Sequence, residues 1–113
     1  MMLEKYMVIG INGSLWRIQA VDGHNKLLIR SDGVYTLGVT DNNVKTIYIK
    51  QGLSDRMFDK VLCHELTHAY AFEYGYFLDI KTEEIVADFM SLYGRKIVYM
   101  AEEIIRNVLR RAL

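Results

Sequence analysis

The residues most able to do chemistry lie between positions 64 and 68, where the chain reads His-Glu-Leu-Thr-His. In an α-helix, His64 and His68 project from the same face, one turn apart. Two neutral imidazoles in this arrangement can bind one Zn²⁺ ion. Glu65 follows the first histidine and could reach a metal-bound water as a general base. The spacing therefore indicates a catalytic metal site.

The surroundings of this motif favour a buried helix over a surface helix with two chance histidines. Residues 61–70 contain no proline and no glycine, and outside the motif their only ionisable side chains are Cys63 and Tyr70. Further charges would be costly beside a buried site. Cys63 could itself be a ligand or a redox switch, but helix geometry turns it about 100° from His64. We therefore interpret Cys63 as a small buried core residue.

A third ligand is expected downstream, because catalytic zinc combines three protein ligands with one open position. Residues 82–89 are typical of a second helix, and within them Glu84 and Asp88 are four apart and share a face. Glu84 can complete the ligand set, while Asp88 can accept a hydrogen bond from a ligating histidine. Glu83 competes with Glu84 for the role of ligand. We prefer Glu84 because Glu83 would point about 100° away.

These residues give the chain a resemblance to a known family. The sequence is similar to the gluzincin metallopeptidases, which have a His-His-Glu zinc site, and more narrowly to the ImmA/IrrE-type peptidases of bacteria, phages and mobile elements. The resemblance covers residues 35–92. The matching residues are His64, Glu65, Leu66 and His68 in the first helix and Glu84, Ala87, Asp88 and Phe89 in the second.

The resemblance implies a minimal zincin-like fold, a Zn²⁺ cofactor, and hydrolysis of a protein or peptide substrate. Residues 38–40 and 46–49 look like the strands that precede the active-site helix in that family. In similar enzymes an edge strand lies above the metal and pairs with the extended substrate. Both segments are candidates for that edge strand, and the sequence leaves the choice open.

Length and composition limit the classes of protein to consider. A chain of 113 residues, 51% hydrophobic, fits a single domain over residues 1–113. Zero formal net charge gives no reason to expect a nucleic-acid or membrane partner. A single cysteine excludes an intramolecular disulfide and fits a reducing compartment. Because neither a signal peptide nor a run of 18 apolar residues is evident, we expect a cytoplasmic protein.

The first half of the chain alternates short apolar runs with turn signals. These runs predict three to five strands in an antiparallel or mixed sheet, with candidates at residues 6–11, 15–21, 26–30, 34–40 and 46–50. A sheet followed by helices predicts the α+β class.

The second half has helical periodicity. Ser54 is the expected N-cap of the first helix, which should run to about Tyr74 and end at Gly75. Thr82 is the candidate N-cap of the second helix, and Gly94 is a candidate break after it. A further helix is expected over residues 96–113.

Three function classes agree with these patterns. The first is a zinc endopeptidase that acts on a cytoplasmic regulatory protein such as a repressor, as the resemblance implies. The second is a zinc-binding regulatory or structural module that cleaves nothing, and the third is an interaction module without metal. Glu65 favours the first, because a structural site has no use for a general base. An additional oxyanion donor is expected, but spacing does not choose it among Tyr70, Tyr74, Tyr76, Tyr93 and His24.

Overall fold

The computed structural model describes residues 6–112 and has an α+β architecture, a four-stranded sheet followed by helices. The strands are β1 (Tyr6–Ile11), β2 (Ser14–Val21), β3 (Gly38–Asp41) and β4 (Thr46–Lys50), and their order across the sheet is β1-β2-β4-β3. The β1–β2 and β3–β4 pairs are antiparallel, whereas β2 and β4 are parallel. The predicted α+β class with a mixed sheet is confirmed.

Two of the predicted strands need correction. Residues 26–30 are not a strand, because a 3₁₀ turn forms at Lys26–Leu28 where the Asn25 side chain accepts a hydrogen bond from the Leu27 N–H. The strand predicted over residues 34–40 begins only at Gly38, and Tyr35 makes an isolated bridge with Ile29. The segment between β2 and β3 is therefore mostly loop.

β4 is an interior strand and is buried on both faces. Ile47 and Ile49 join the main core, whereas Tyr48 points the other way and packs with Val21 and Leu28. Of the two candidate edge strands, β3 lies at the edge of the sheet and β4 does not.

α1 spans Asp55–Glu73 and begins and ends where the sequence predicts. The Ser54 side chain accepts a hydrogen bond from the Met57 N–H, and the chain leaves the helix at Gly75, whose φ is +75°. The helix packs an apolar stripe against the sheet, where its buried residues join Ile11, Trp16, Ile18, Ile47 and Ile49 in the main core.

α2 spans Ile80–Phe89, and its N-cap is Asp79 rather than the predicted Thr82. The Asp79 carboxylate accepts hydrogen bonds from the backbone N–H of Thr82 at 3.0 Å and from its hydroxyl at 2.8 Å. The helix therefore starts one turn earlier than the sequence suggested.

Gly94 does not break the helix, contrary to the prediction. A π-helical turn at Met90–Gly94 leads directly into α3 (Arg95–Ala112). A Cβ at Gly94 would lie 2.7 Å from Met90 Cε, so the missing side chain leaves room for the methionine. One helix thus runs without interruption from Ile80 to Ala112. Within the described residues, no helix is both long and apolar enough to cross a bilayer.

Candidate metal centre

Glu65 and the two histidines of the motif project from α1 in different directions. Glu65 lies on the core-facing stripe, in line with the buried Val61 and Ala69, and its exposed fraction is only 7%. His64 and His68 lie on the flank of the same helix that faces α2. The 3.6-residue period thus sends the carboxylate toward the sheet and both imidazoles toward the second helix.

Three donor atoms converge between α1 and α2. Glu84 places one carboxylate oxygen 3.2 Å from His64 Nε2 and the other 2.7 Å from His68 Nε2. The two Nε2 atoms are 3.3 Å apart. One ligand atom from each of the three residues lies within 4.8 Å of the others. The three residues chosen from spacing are therefore the ones that come together.

The opposite ring nitrogen of each histidine faces a carboxylate. His64 Nδ1 lies 2.9 Å from Asp88 Oδ1, and His68 Nδ1 lies 2.6 Å from Glu83 Oε1. If each Nδ1 donates its N–H to the carboxylate it faces, each neutral ring has its lone pair on Nε2, directed toward Glu84. Protons on both Nε2 atoms would set two N–H groups against each other across 3.3 Å. A single cation between them would satisfy all three donors, and two histidines with a glutamate are one of the ligand sets that bind zinc.

Glu83 has a position that the spacing argument missed. Helix geometry does turn it away from Glu84, yet that direction leads to His68 rather than to solvent. A relay from carboxylate to histidine was predicted only for Asp88. The N-cap at Asp79 gives the physical reason, since a helix that begins at Ile80 carries residue 83 in its first turn, beside α1. Recognition of Asp79 as the N-cap in the sequence would have indicated that Glu83 lies beside α1.

Glu65 is held against β3. Thr40 Oγ1 lies 2.9 Å from Glu65 Oε1 and 3.0 Å from the Glu65 backbone oxygen. Burial raises the pKa of Glu65, and the neighbouring His64 and the Thr40 hydrogen bond oppose that rise. A Cβ at Gly38 would lie 3.0 Å from Glu65 Cγ and 2.7 Å from Val61 Cγ1, so glycine permits the close approach of β3.

A cleft of about 510 Å³ opens over the donor atoms. The edge strand β3 and the loop before it form one wall, and the start of α2 forms the other. The side chains that could donate hydrogen bonds there are Arg30, Ser31, Thr36, Thr40 and Asn42. None of the four candidate tyrosines, nor His24, lines this cleft among the described residues.

Cys63 is not part of the donor group. Its side chain is half-buried rather than in the core, which corrects the sequence interpretation, and Sγ lies 3.7 Å from Asp59 Oδ1 and 3.9 Å from an Arg95 nitrogen. Burial and the Asp59 charge raise the pKa of its thiol. A thiol with a raised pKa, outside the donor group, does not suit the role of a metal ligand.

No protein-family model, no curated protein and no solved structure matches the chain. The residues of the site are therefore the basis for a proposed function.

Proposed function

We propose that this protein is a zinc-dependent peptidase with His64, His68 and Glu84 as its metal ligands. The observation that carries the proposal is the convergence of one possible ligand atom from each of these three residues, with a further carboxylate against the outer nitrogen of each ring. Three protein donors leave a coordination position open toward the cleft, which is the arrangement of a catalytic rather than a structural zinc site.

Zinc bound there would polarise a substrate carbonyl and lower the pKa of a water molecule to roughly 7. Glu65 is the proposed general base, because its Oε2 lies 4.0 Å from His64 Nε2, at the edge of the donor group. It would accept the proton of the attacking water and return it to the leaving amine. Thr40 orients the Glu65 carboxylate, and Asp88 and Glu83 orient the two rings.

The proposed substrate is an extended segment of a cytoplasmic regulatory protein. Two features support a peptide: the resemblance to the ImmA/IrrE-type peptidases, and the unpaired edge of β3 along the cleft. An edge strand offers backbone N–H and C=O groups with which an extended chain can pair.

A zinc-binding module that hydrolyses nothing is the second candidate. It is favoured by one observation, the lack of a tyrosine or a further histidine among the residues that line the cleft. Peptide hydrolysis would then need its oxyanion donor from Arg30, Asn42 or a backbone N–H.

The first experiment is the zinc content of the wild type beside Glu84→Ala, measured by elemental analysis on protein purified without chelators or nickel resin. We expect about one zinc per chain in the wild type and loss of zinc in the variant. Glu103→Ala is the matched control, because it removes an exposed glutamate further along the same continuous helix. A wild type that takes up no zinc would overturn the proposal.

Glu65→Gln separates the two candidate functions. The variant keeps all three donors, so it should bind zinc like the wild type but lose hydrolysis of an unstructured protein such as casein. If wild type and Glu65→Gln both load zinc and neither cleaves any of a broad set of peptides, the non-catalytic module is the better description.

A further inference from the structure

The C-terminal half of the long helix carries an apolar surface that nothing in the described chain covers. Every side chain of α3 from residue 95 to 111 is exposed. We call its apolar side the α3 ridge, which comprises chiefly Ile97, Met100, Ile104, Ile105, Val108 and Leu109, all more than half exposed. Among the described elements, the main neighbour of α3 is the π-helical turn.

The apolar face of α3 is wider than that of an ordinary surface helix in a monomeric protein. At 100° per residue, its apolar positions between 97 and 109 span about half the circumference of the helix. A helix on the surface of a globular protein has an apolar stripe only somewhat wider than 100°. A face this wide suits contact with two neighbouring elements, such as the two helices that form the walls of a groove.

A second uncovered apolar surface lies on the body of the molecule. A groove of about 580 Å³ runs between α1 and α2. We call it the α1–α2 groove, and its walls include Leu66, Tyr70, Ala71, Tyr74, Val86 and Met90, with Cys63 at its side. Helical ligands commonly bind grooves of this kind through apolar side chains one turn apart.

The α3 ridge cannot reach the α1–α2 groove of its own chain. α2, the π-helical turn and α3 form one continuous helix, and the backbone on both sides of Gly94 is right-handed helical. α3 therefore points away from the body, in a molecule 56 Å long and 31 Å wide. A matching ridge must come from another molecule.

The charges of the two parts are complementary. α3 contains five lysine or arginine residues and two glutamates, a net charge of +3. The other residues of the neutral chain contain nine basic and twelve acidic side chains, a net charge of −3 before any bound cation is counted. A second copy of the chain thus offers α3 an apolar groove on a body whose net charge is opposite in sign, which favours the encounter of the two.

We propose that two copies form a symmetric dimer in which the α3 ridge of each chain docks in the α1–α2 groove of the other. A two-fold axis allows this, because ridge-to-groove contact then occurs twice in one closed interface. Reciprocal docking covers both apolar surfaces at once. A ridge-to-ridge pair, or a ridge lying on a lipid surface, would leave the groove exposed. The proposal does not depend on the proposed peptidase function.

Disulfide trapping on the full chain tests the proposal directly, because Cys63 is the only cysteine and lies beside the groove. Ile97→Cys, Ala101→Cys, Ile105→Cys and Val108→Cys would be oxidised one at a time with oxidised glutathione. We expect at least one to give a disulfide-linked dimer on a non-reducing gel, and we expect that band to vanish when Cys63→Ser is added. Glu103→Cys and Arg110→Cys, on the polar side of α3, are the matched controls and should not link to Cys63.

Light scattering measures the molar mass in solution and provides a second test of the dimer. The wild type should have twice the 13.2 kDa chain mass, and Ile105→Glu and Tyr74→Glu should each weaken the dimer at least about thirtyfold. Circular dichroism establishes that both variants remain folded. A monomeric wild type would overturn the proposal, including one that binds vesicles of anionic phospholipid. A disulfide between Cys63 and α3 of the same chain would also overturn the proposal. Cross-linked dimers that still form after Cys63→Ser would have the same consequence.

Discussion

The two halves of the long helix, α2 and α3, differ in how they pack and in the groups that they leave without a partner element. α2 packs against α1 and brings Glu83, Glu84 and Asp88 to the two histidines, where three possible ligand atoms lie within 4.8 Å of one another. α3 continues the same backbone but contacts little of the body, and its apolar side is uncovered. In the two proposals, one half binds a cation and the other binds an apolar surface.

A polar cluster at the other end of α1 sharpens the comparison. Glu73 accepts hydrogen bonds from Lys45 Nζ, from Trp16 Nε1 at 2.9 Å and from Ser14 Oγ at 3.0 Å. Here the protein supplies its own cation, and the cluster ties the first hairpin to the end of the helix. The donor group at His64 and His68 has carboxylates on every side and no lysine or arginine in contact among the described residues. That difference is expected between a structural ion pair and the proposed metal site.

The largest expected effect is the stabilisation by zinc. Zinc at about a thousand times its dissociation constant should raise the free energy of unfolding by about 4 kcal/mol. For a chain of this size, thermal melts should then shift by about 10–20 °C. His68→Ala should abolish the shift, because it removes a ligand, whereas Ile105→Glu should keep it. Loss of the shift in Ile105→Glu would show that the two halves of the helix are not independent.

The two carboxylates that contact the outer nitrogens of the histidines should differ in how much each contributes to zinc affinity. Removing the orienting partner of a metal ligand typically weakens binding by about 10–100-fold. Glu83→Gln should cost more affinity than Asp88→Asn, because Glu83 is closer to its ring and its side chain is 20% exposed against 68% for Asp88. Competition with a zinc-sensitive dye measures both constants. Equal losses would mean that burial of the partner does not matter here.

The packing of the site against the sheet can be tested at Gly38. Gly38→Ala should destabilise the protein by about 1–3 kcal/mol, because the added methyl group overpacks Val61 and Glu65. Gly10→Ala is the matched control on β1, where a Cβ would meet nothing within 4 Å. Urea denaturation of both variants gives the comparison. A neutral Gly38→Ala would imply that β3 is free to move away from α1.

Gly94→Ala tests the continuity of the helix at the junction of its halves. The added Cβ meets only the flexible end of Met90, and alanine favours a helical backbone by roughly 1 kcal/mol over glycine. We expect the free energy of unfolding to stay within about 1 kcal/mol of the wild type, with the dimer unchanged. Urea denaturation and light scattering measure the two quantities. Disruption of the dimer would indicate that Gly94 acts as a hinge.

The smallest expected effect concerns pH. The hydrogen bond from Lys45, followed by that from Trp16, lowers the pKa of Glu73. A carboxylate whose pKa is depressed on folding stabilises the protein above its unfolded pKa of about 4.3, and this contribution is lost as the pH falls through the folded pKa. Glu73→Gln should therefore lose less stability than the wild type between about pH 5 and pH 3. Glu103→Gln, exposed on α3, should follow the wild type.

Local sequence patterns gave correct predictions for features that depend on a single helix or strand. The apolar run at residues 15–21 predicted β2, Ser54 and Gly75 marked both ends of α1, and the four-residue spacing selected His64 with His68. They failed where two signals lay close together. Asp79 and Thr82 could each cap α2, and Gly94 resembled a stop signal although the chain continues through it as a helix.

The sequence by itself determined the α+β class, the extent of α1 and the residue types able to bind a metal, because these depend on periodicity and on side-chain chemistry. Only the tertiary structure decided that Glu83 faces His68, that β3 rather than β4 is the edge strand, and that Glu65 is buried. It also decided that α3 projects with its apolar side uncovered. The reason is physical: a helix or strand fixes the direction of a side chain about its own axis, whereas what that side chain meets depends on contacts between residues far apart in the chain.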